Sequence, residues 1–381
     1  MKKTLLTICL VWMCFSLSAQ KIIDLSGKWS FSIDRQDNGE KEKWFSHTLN
    51  DCINLPGSMP EKLKGDEVTA KTQWTGSLYD SSYYYNPYME KYRKEGNIKF
   101  PFFLTPDKHY VGAAWYQKEV NIPADWKGER ILLFLERPHI ETTVWVNGQK
   151  TGMQNSLCVP HQYDITHYVR PGKCTITIRV DNRIKEINVG PDSHSITDQT
   201  QGNWNGIVGR ICLQTTPKTY FDDIQIYPEP EQKLARVKVV IKGTGTAKVK
   251  LSAESFNTDK KHIVPAIQQE IKLNKGVTET EMVLPMGNDM LLWDEFHPAL
   301  YKLKAEVTNG KKTEIKEIQF GMRRFEIKGK WFYVNGRKTQ LRGTVENCDF
   351  PLTGYAPMDV ESWERVFRIC RSYGLNHMRF H

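Results

Sequence analysis

The sequence lacks a C-x-x-C pair, although it contains eight cysteines in 381 residues. Structural zinc sites and redox centres use closely spaced cysteine pairs. The spacing therefore argues against both kinds of site, and we predict no metal and no other cofactor. Six cysteines remain once Cys9 and Cys14 in the first 19 residues are set aside, and their wide spacing favours free, buried thiols over disulfides. These six are Cys52, Cys158, Cys174, Cys212, Cys348 and Cys370.

Long apolar runs are also missing, apart from one at the start. Lys2 and Lys3 precede an apolar stretch over residues 5–17 that ends in Ser18 and Ala19, a pattern typical of a secretory signal peptide. We predict a signal peptide over residues 1–19 and export to the periplasm or the extracellular space. No later stretch approaches the roughly 18 to 20 apolar residues that a membrane-spanning helix needs. No membrane span is predicted.

The charged residues form no basic stripe. The formal net charge of +9 falls to +7 without Lys2 and Lys3 (9 − 2 = 7). A positive balance favours acidic partners, such as an acidic polysaccharide or nucleic acid. Nucleic-acid binding, however, uses Lys and Arg clustered on one face, and here they are dispersed. We interpret the charge as a solvated surface and predict no nucleic-acid partner.

Helical periodicity is rare over the first half of the chain. Apolar and polar residues alternate instead in short segments, which predicts strands with one buried face. Asn147-Gly148 supplies the positive φ angles of a tight hairpin. Many short strands predict a jelly-roll β-sandwich over residues 20–217. The clearest alternating segments are residues 29–33, 131–135, 143–146 and 175–180.

Residues 63–106 interrupt this alternation with tyrosines set among polar residues. A loop of this length within a compact domain is usually functional or disordered. Clustered tyrosines favour order, and we expect the loop to pack on its own side chains more than to form a binding surface. The tyrosines are Tyr79, Tyr83, Tyr84, Tyr85, Tyr88 and Tyr92.

Two further segments follow. Residues 218–320 alternate again without a cysteine, which predicts an immunoglobulin-like β-sandwich that lacks its disulfide. After residue 320 the chain predicts a hairpin at Asn335-Gly336, whose second strand continues over residues 339–346. A helix follows between an N-cap at Asp359 and Gly374, and residues 375–381 begin another strand. Strand, helix and strand are typical of a parallel sheet or barrel.

Short motifs in a fixed order cover nearly all of the chain after the signal. Together they resemble glycoside hydrolase family 2. The motifs are Asp24-Leu25-Ser26-Gly27-Lys28-Trp29, Gly112-Ala113-Ala114-Trp115-Tyr116, Val144-Trp145-Val146-Asn147-Gly148, Asn205-Gly206-Ile207, Pro298-Ala299-Leu300-Tyr301, Leu341-Arg342-Gly343, Pro351-Leu352-Thr353-Gly354 and Gly374-Leu375-Asn376-His377-Met378-Arg379.

The resemblance implies a mainly β chain: a jelly-roll sugar-binding domain, an immunoglobulin-like sandwich, and the truncated start of a (β/α)8 barrel over residues 321–381. It also implies a retaining β-glycosidase that hydrolyses O-glycosyl bonds of oligosaccharides or polysaccharides in carbohydrate catabolism. The family's acid/base and nucleophilic Glu lie on later barrel strands, beyond this chain, and must stand about 5 to 5.5 Å apart. We therefore expect no catalytic residue here and an inactive front portion.

The resemblance implies six substrate-binding residues. Functional residues of such barrels lie at the carboxyl ends of strands, which here selects Asn347, Arg379 and His381. Arg379 matches an Arg that would keep the nucleophile ionised, and Asn347 stands where several members place a His. The first sandwich would add a loop before its Gly-Ile motif, with amide, carboxylate and indole groups for a pyranose. These loop residues are Asp198, Asn203 and Trp204.

Each of these assignments has a structural alternative. Arg379 can serve as an ion-pair partner, Asn347 and His381 can satisfy nearby backbone groups, and Trp204 can be a core residue. Two rival functions also stay open: a non-catalytic carbohydrate-binding module, and a scaffold or inhibitor without a ligand. An apolar helix face without a partner at the carboxyl end favours an interrupted barrel over both. The sequence does not indicate an oligomeric state or the identity of the sugar.

Overall fold

The structure, a computed structural model, describes residues 21–69, 71–76, 82–98, 106–185, 193–198 and 202–381. The predicted signal peptide, Tyr79 and residues 199–201 lie outside these ranges. Two compact units are present: Ile22–Thr216 together with Phe325–His381 form one, and Pro217–Arg324 belongs to the other. Most described residues lie in strands, which confirms the prediction of a mainly β protein.

The alternating segments of the first part of the chain form thirteen strands. They are β1 (Ile22–Asp24), β2 (Gly27–Asp34), β3 (Asp51–Leu55), β4 (Gly57–Ser58), β5 (Asp66–Glu67), β6 (Lys108–His109), β7 (Ala113–Ile122), β8 (Arg130–His139), β9 (Glu141–Val146), β10 (Gln149–Asn155), β11 (His161–Asp164), β12 (Gly172–Asp181) and β13 (Gly206–Thr216).

Two antiparallel sheets from these strands enclose one core. The first sheet has the order β1-β13-β8-β11, with β4 also beside β13, and the second has the order β10-β9-β12-β7-β2-β3. Trp29, Leu133 and Ile178 belong to the buried cluster that both sheets contribute to. Burial of each such side chain stabilises the fold by roughly 1.5 to 3 kcal/mol. The first part of the chain is therefore a β-sandwich.

Two glycine positions explain local features of this sandwich. Asn147 and Gly148 have φ angles of 50° and 77°, and they form the predicted hairpin turn between β9 and β10. Gly206 has a φ of 153°, and a Cβ atom there would lie 2.4 Å from the carbonyl oxygen of Gly57. Only glycine therefore lets β4 approach β13 closely enough to pair.

The tyrosine-rich segment packs largely on itself. Its centre is Tyr83, which is 1% exposed and contacts Val68, Trp74 and Met89 in a small separate cluster. The hydroxyl of Tyr83 donates to the carbonyl oxygen of Tyr92 at 2.9 Å. The segment contains a short helix α1 (Ser82–Tyr85) and a 3-10 helix over Pro87–Tyr92.

The second unit is a smaller sandwich. One sheet has the order β14-β15-β18 and the other β17-β16-β19-β20, and Val237, Val249 and Tyr301 lie in their shared core. The strands are β14 (Tyr220–Glu229), β15 (Leu234–Lys242), β16 (Gly245–Phe256), β17 (Ile263–Leu273), β18 (Val277–Pro285), β19 (Leu300–Asn309) and β20 (Lys312–Phe320).

The remaining strands return to the first unit. A three-stranded sheet of β21 (Phe325–Lys328), β22 (Trp331–Val334) and β23 (Arg337–Thr339) contains the predicted turn at Asn335-Gly336. A parallel pair follows, formed by β24 (Gly343–Glu346) and β25 (His377–Phe380) and connected by helix α2 (Val360–Ser372).

The prediction of one continuous strand over residues 339–346 is wrong. The chain leaves the hairpin after Thr339, and a new strand begins at Gly343. The side-chain oxygen of Asn376 accepts a hydrogen bond from the backbone N–H of Arg342 at 2.8 Å. The N–H of Asn376 donates to the carbonyl oxygen of Arg342 at 2.9 Å. These bonds join the start of β24 to β25 instead of to the hairpin.

Helix α2 follows its sequence signals. The carboxylate of Asp359 accepts the N–H of Ser362 at 2.7 Å, which satisfies one free donor of the first turn. The ring of Trp363 stacks on Phe367 and meets Phe380 of β25 at 5.2 Å. The apolar helix face thus covers one face of the parallel pair.

All six cysteines of residues 21–381 are free thiols. Only Cys174 and Cys212 are buried, so the expectation of buried thiols holds for two of them. Cys52 and Cys158 are exposed.

Candidate functional site

The carboxyl ends of β24 and β25 lie side by side. Val345 pairs with Arg379 and Glu346 with Phe380, and the N–H of His381 donates to the carbonyl oxygen of Glu346 at 2.8 Å. Phe380 faces helix α2. Because neighbouring side chains in a strand point to opposite faces, Arg379 lies on the face of the pair that the helix does not cover.

Three predicted site residues share this uncovered face. The same alternation places Asn347, two residues after Val345, and His381, two residues after Arg379, on the side of Arg379. Asn347 and Arg379 are exposed. The ring of His381 lies 4.9 Å from the ring of His194, which comes from the first sandwich. The structure therefore brings the strand ends next to the segment that precedes Asp198.

Asp198 is almost fully buried, at 3% exposure. One carboxylate oxygen accepts the N–H of Thr75 at 2.6 Å and lies 3.2 Å from Nε2 of His109. The other accepts the N–H of Asn203 at 3.0 Å. The carboxylate thus joins the loop of Asp198 to Thr75 in the tyrosine-rich segment and to His109 in β6.

Asn203 is also buried, with 4% exposure. Its amide N–H groups donate to the hydroxyl of Thr75 and to the carbonyl oxygen of Asn182, each at 3.0 Å. Its amide oxygen lies 3.2 Å from Nε2 of His139. The polar groups of Asp198 and Asn203 are engaged within the protein, and their role as sugar contacts stays a prediction.

Trp204 lies between the first sandwich and the segment after β24. Its ring stacks on His139 with centroids 4.5 Å apart, and it meets the ring of Tyr355 at 5.4 Å. The guanidinium of Arg137 lies 6.0 Å from the indole centroid. At 3% exposure the indole is buried in this structure, and its role as a sugar contact stays a prediction.

Two hydrogen bonds join the first sandwich to the loop between β24 and α2. The hydroxyl of Ser58 donates to the carbonyl oxygen of Thr353 at 2.5 Å. The hydroxyl of Tyr355 donates to the carboxylate of Glu61 at 2.9 Å. Burial raises the pKa of Tyr355, and the bond to Glu61 acts in the same direction. Tyr355 therefore stays a neutral donor.

His139 is almost fully buried, at 1% exposure. Burial lowers the pKa of His139 to about 3, and the positive charge of Arg137 adds to this effect. The imidazole is therefore neutral at physiological pH. Its Nδ1 atom is buried and has no hydrogen-bond partner among the described residues.

Two carboxylates lie close to the strand ends. Glu346 ends β24 and accepts the N–H of Cys348 at 3.0 Å. Burial raises the pKa of Asp349, the negative charge of Glu346 raises it further, and His194 opposes the shift. One oxygen of Asp349, Oδ1, is buried and finds no hydrogen-bond partner within the described part of the chain.

The structure thus forms two groups from the six predicted residues. Asn347, Arg379 and His381 share one face of the parallel pair, whereas Asp198, Asn203 and Trp204 form a buried cluster. Sequence reasoning missed three residues that contact members of these groups: His139 and Tyr355 pack on Trp204, and His194 lies against His381. Tyr355 directly follows the motif Pro351-Leu352-Thr353-Gly354, so that motif carried a usable signal. No pattern marked the two histidines.

The described residues contain no cluster of three or more His, Cys, Asp or Glu side chains placed to hold a metal ion. None of the helices in the described ranges has both the length and the apolar character needed to cross a membrane.

Comparison with known families is decisive for the class of protein. The family model "Glycosyl hydrolases family 2, sugar binding domain" matches residues 22–217, and "Glycosyl hydrolases family 2" matches residues 219–323. The chain belongs to glycosyl hydrolase family 2. The resemblance drawn from the sequence motifs is thereby confirmed.

Curated relatives of this family 2 chain include glycosidases. The β-glucuronidase of Homo sapiens is 23% identical over 93% of this chain and 53% of its own length. The β-galactosidase of Thermoanaerobacter pseudethanolicus is 24% identical over 74% of this chain and 38% of its own length. The chain therefore spans about half the length of such relatives, or less.

Solved structures agree in fold. The crystal structure of Ruminococcus gnavus β-glucuronidase superimposes with a TM-score of 0.66 at 19% sequence identity. The match covers 95% of this chain and 54% of the Ruminococcus chain.

Proposed function

We propose that this family 2 chain is the front portion of an exported retaining β-glycosidase that hydrolyses O-glycosyl bonds of oligosaccharides or polysaccharides. In this proposal residues 321–381 begin a (β/α)8 barrel. Its first two strands and the first sandwich form one wall of the sugar site. The acid/base and nucleophilic carboxylates come from later strands.

One observation carries the proposal: the parallel strands β24 and β25 end beside the first sandwich. The His194 and His381 rings lie 4.9 Å apart, and Tyr355 packs on Trp204. Functional groups of a (β/α)8 barrel lie at the carboxyl ends of its strands. A sugar bound there contacts both the barrel and the sandwich.

The residues of the uncovered face have chemistry suited to this role. The guanidinium of Arg379 is exposed and can hold a nucleophilic carboxylate in its ionised form through charge-assisted hydrogen bonds. The amide of Asn347 and the imidazole of His381 can bind sugar hydroxyls. Asp198, Asn203 and Trp204 are buried, and we retain them as proposed substrate-binding residues.

The chain by itself offers no carboxylate pair for double displacement in this proposal. Glu346 ends β24, but its alternation places it on the face of Phe380, towards α2. We therefore expect purified residues 20–381 to show no turnover of aryl β-galactoside, β-glucuronide, β-glucoside or β-mannoside. Turnover that disappears in Glu346→Gln would contradict this expectation.

The decisive experiment uses the reading frame that follows the codon of His381. We expect it to continue with an Asn-Glu pair and a later Glu at barrel-strand ends, and its product to hydrolyse one of these aryl glycosides. Arg379→Gln should lower kcat/KM at least a hundredfold, since about 3 kcal/mol of charge-assisted contact is lost. Arg365→Gln on helix α2 is the matched control and should leave the rate unchanged.

A different outcome would favour a carbohydrate-binding module. If the frame lacks those residues and residues 20–381 bind a glycan, a carbohydrate-binding module replaces the hydrolase proposal.

Export is tested separately by mass spectrometry of the mature amino terminus. We expect cleavage after Ala19, and an intact Met1 terminus on the purified protein would exclude a cleaved signal.

A further inference from the structure

A cavity of about 700 Å³ lies between the first sandwich and the loop that follows β24. Its size is within the range of roughly 300 to 1,000 Å³ that small-molecule sites occupy. Glu136 and Arg210 line it from the sandwich. Its remaining walls are mostly apolar and come from Pro56, Phe350, Pro351, Leu352, Pro357 and Met358.

Most polar side chains of the cavity are engaged by the protein. Glu136 accepts bonds from the backbone N–H of Arg210 at 2.6 Å and from its Nε at 3.2 Å. Asp359 accepts the N–H and hydroxyl of Ser362. Tyr355 donates to Glu61. These groups therefore need no external partner.

Asp349 is the exception. It lines the cavity, and its Oδ1 atom is buried without a hydrogen-bond partner among the residues that the structure describes. A buried acceptor without a donor costs about 1 to 3 kcal/mol. The Asp349 side chain as a whole is only half-buried, so a rotation that turns its carboxylate towards a donor in the cavity is favoured. The cavity thus combines one unsatisfied carboxylate with an apolar wall.

We propose that this cavity binds a neutral pyranose unit, with a sugar hydroxyl donating to the carboxylate of Asp349 and the C–H face of the ring on Phe350 and Met358. Pyranoses present hydroxyls at the rim and apolar C–H groups on their faces, which matches this lining.

The charges of the cavity select the kind of sugar. Burial and the negative charge of Glu346 both raise the pKa of Asp349, and His194 offsets only part of this shift. The only cation among the described lining residues is Arg210, and it is already paired with Glu136. A uronate would add a further negative charge to this site without a free cation to offset it. Neutral hexoses are therefore preferred over uronates.

The cavity adjoins the proposed sugar wall. Asp349 follows Glu346 by three residues, and Tyr355 lines the cavity while its ring packs on Trp204. Resting on the proposed function, this inference makes the substrate an oligosaccharide in which a neutral hexose neighbours the sugar that is cleaved.

The test observes the methyl resonance of Met358 in residues 20–381 labelled with ¹³C-methyl methionine, assigned through Met358→Leu. Methyl β-galactoside and methyl β-glucoside are the neutral probes, and methyl β-glucuronide is the anionic one. We expect the neutral probes to shift the Met358 signal at millimolar concentration. The glucuronide should bind at least fivefold more weakly. No shift of the Met358 signal by either neutral probe overturns the proposal.

Variants separate binding from structure. Asp349→Asn should weaken the binding of the neutral glycosides at least tenfold. It should also reduce the ratio of their affinity to that of the glucuronide, an effect that a merely structural residue would not produce. Leu352→Ser, at a position 87% exposed, leaves the fold intact and should weaken the neutral probes several-fold. Glu364→Gln on α2 is the control. Equal affinity for all probes, unchanged in Asp349→Asn, overturns the proposal.

The outcomes also distinguish this inference from the proposed function. A hydrolase that depends on Arg379, combined with no effect of sugars on Met358, rejects the cavity and keeps the hydrolase. A Met358 shift that depends on Asp349, combined with a frame that encodes no hydrolase, keeps the cavity as a simple sugar site.

Discussion

Trp204 and His139 lie face to face, with ring centroids 4.5 Å apart and planes inclined by 20°. Trp204 is 3% exposed and His139 is 1% exposed. The pair links β8 of the first sandwich to Tyr355 in the loop after β24. Its packing therefore supports both parts of the proposed site wall.

Trp204→Ala should destabilise the first unit by about 3 to 5 kcal/mol, because it leaves a cavity and removes the partner of His139. Trp204→Phe should cost less than half as much, since a ring still fills part of the space. Urea unfolding of the purified chain measures both. A loss under about 0.5 kcal/mol for Trp204→Ala would indicate a surface platform for sugar instead of a packing residue.

His139 makes stability depend on pH. Its folded pKa of about 3 lies below the ordinary value of 6.5, so protons bind the unfolded chain first. The neutral form of His139 therefore contributes its full share to the free energy of unfolding above about pH 6.5. This contribution is lost as the pH falls towards 3, at up to about 1.4 kcal/mol per pH unit. Burial lowers the pKa of His161 as well, so it acts in the same window.

His139→Phe keeps a ring against Trp204 and removes the titration. We expect a shallower decline of the free energy of unfolding between pH 6.5 and 4 in this variant, measured by urea titration at several pH values. An unchanged slope would mean that the pKa of His139 is not lowered in the folded state.

Arg179 binds a group of carboxylates at the end of β12. It lies 2.6 Å from Asp37, 3.0 Å from Asp181 and 3.5 Å from Glu141, and its own exposure is 7%. The pKa of Asp181 is well below its usual range, because hydrogen bonds from Arg183 and Lys185 and the charge of Arg179 outweigh burial.

Arg179→Met should therefore destabilise the first unit by about 3 kcal/mol, at the lower end for a broken buried pair because Arg183 and Lys185 still neutralise Asp181. Lys173→Met, which breaks an exposed pair with Glu119, is the matched control and should cost less than about 1 kcal/mol. Comparable losses in the two variants would argue against a special role of the buried group.

The segment after Arg324 should be the first to yield to protease. Phe325, Ile327 and Trp331 are large apolar residues that remain exposed there, and within the described ranges β24 and β25 pair only with each other. Trypsin should cleave near Lys328, Lys330, Arg337 and Lys338 and leave both sandwiches intact. Mass spectrometry of the fragments over time checks this, and equal resistance throughout would refute it.

Sequence reasoning succeeded where the signal is local. Alternation marked β8, β9 and β12, Asn-Gly marked both hairpins, and Asp359 marked the start of α2. It failed at residues 339–346, because the bond between Asn376 and Arg342 that ends the hairpin comes from residues far along the chain. The contacts of Trp204 with His139 and Tyr355 are long-range in the same way, so no local pattern could show that the indole is buried.

The hydrogen bond between Ser58 and Thr353 joins residues that are 295 positions apart. At a synthesis rate of about 5 to 20 residues per second, Ser58 leaves the ribosome roughly 15 to 60 seconds before Thr353 does. During that interval the whole second sandwich is made, since Pro217–Arg324 lies between them. The hydroxyl of Ser58 therefore cannot make its bond to Thr353 until both sandwiches have been synthesised.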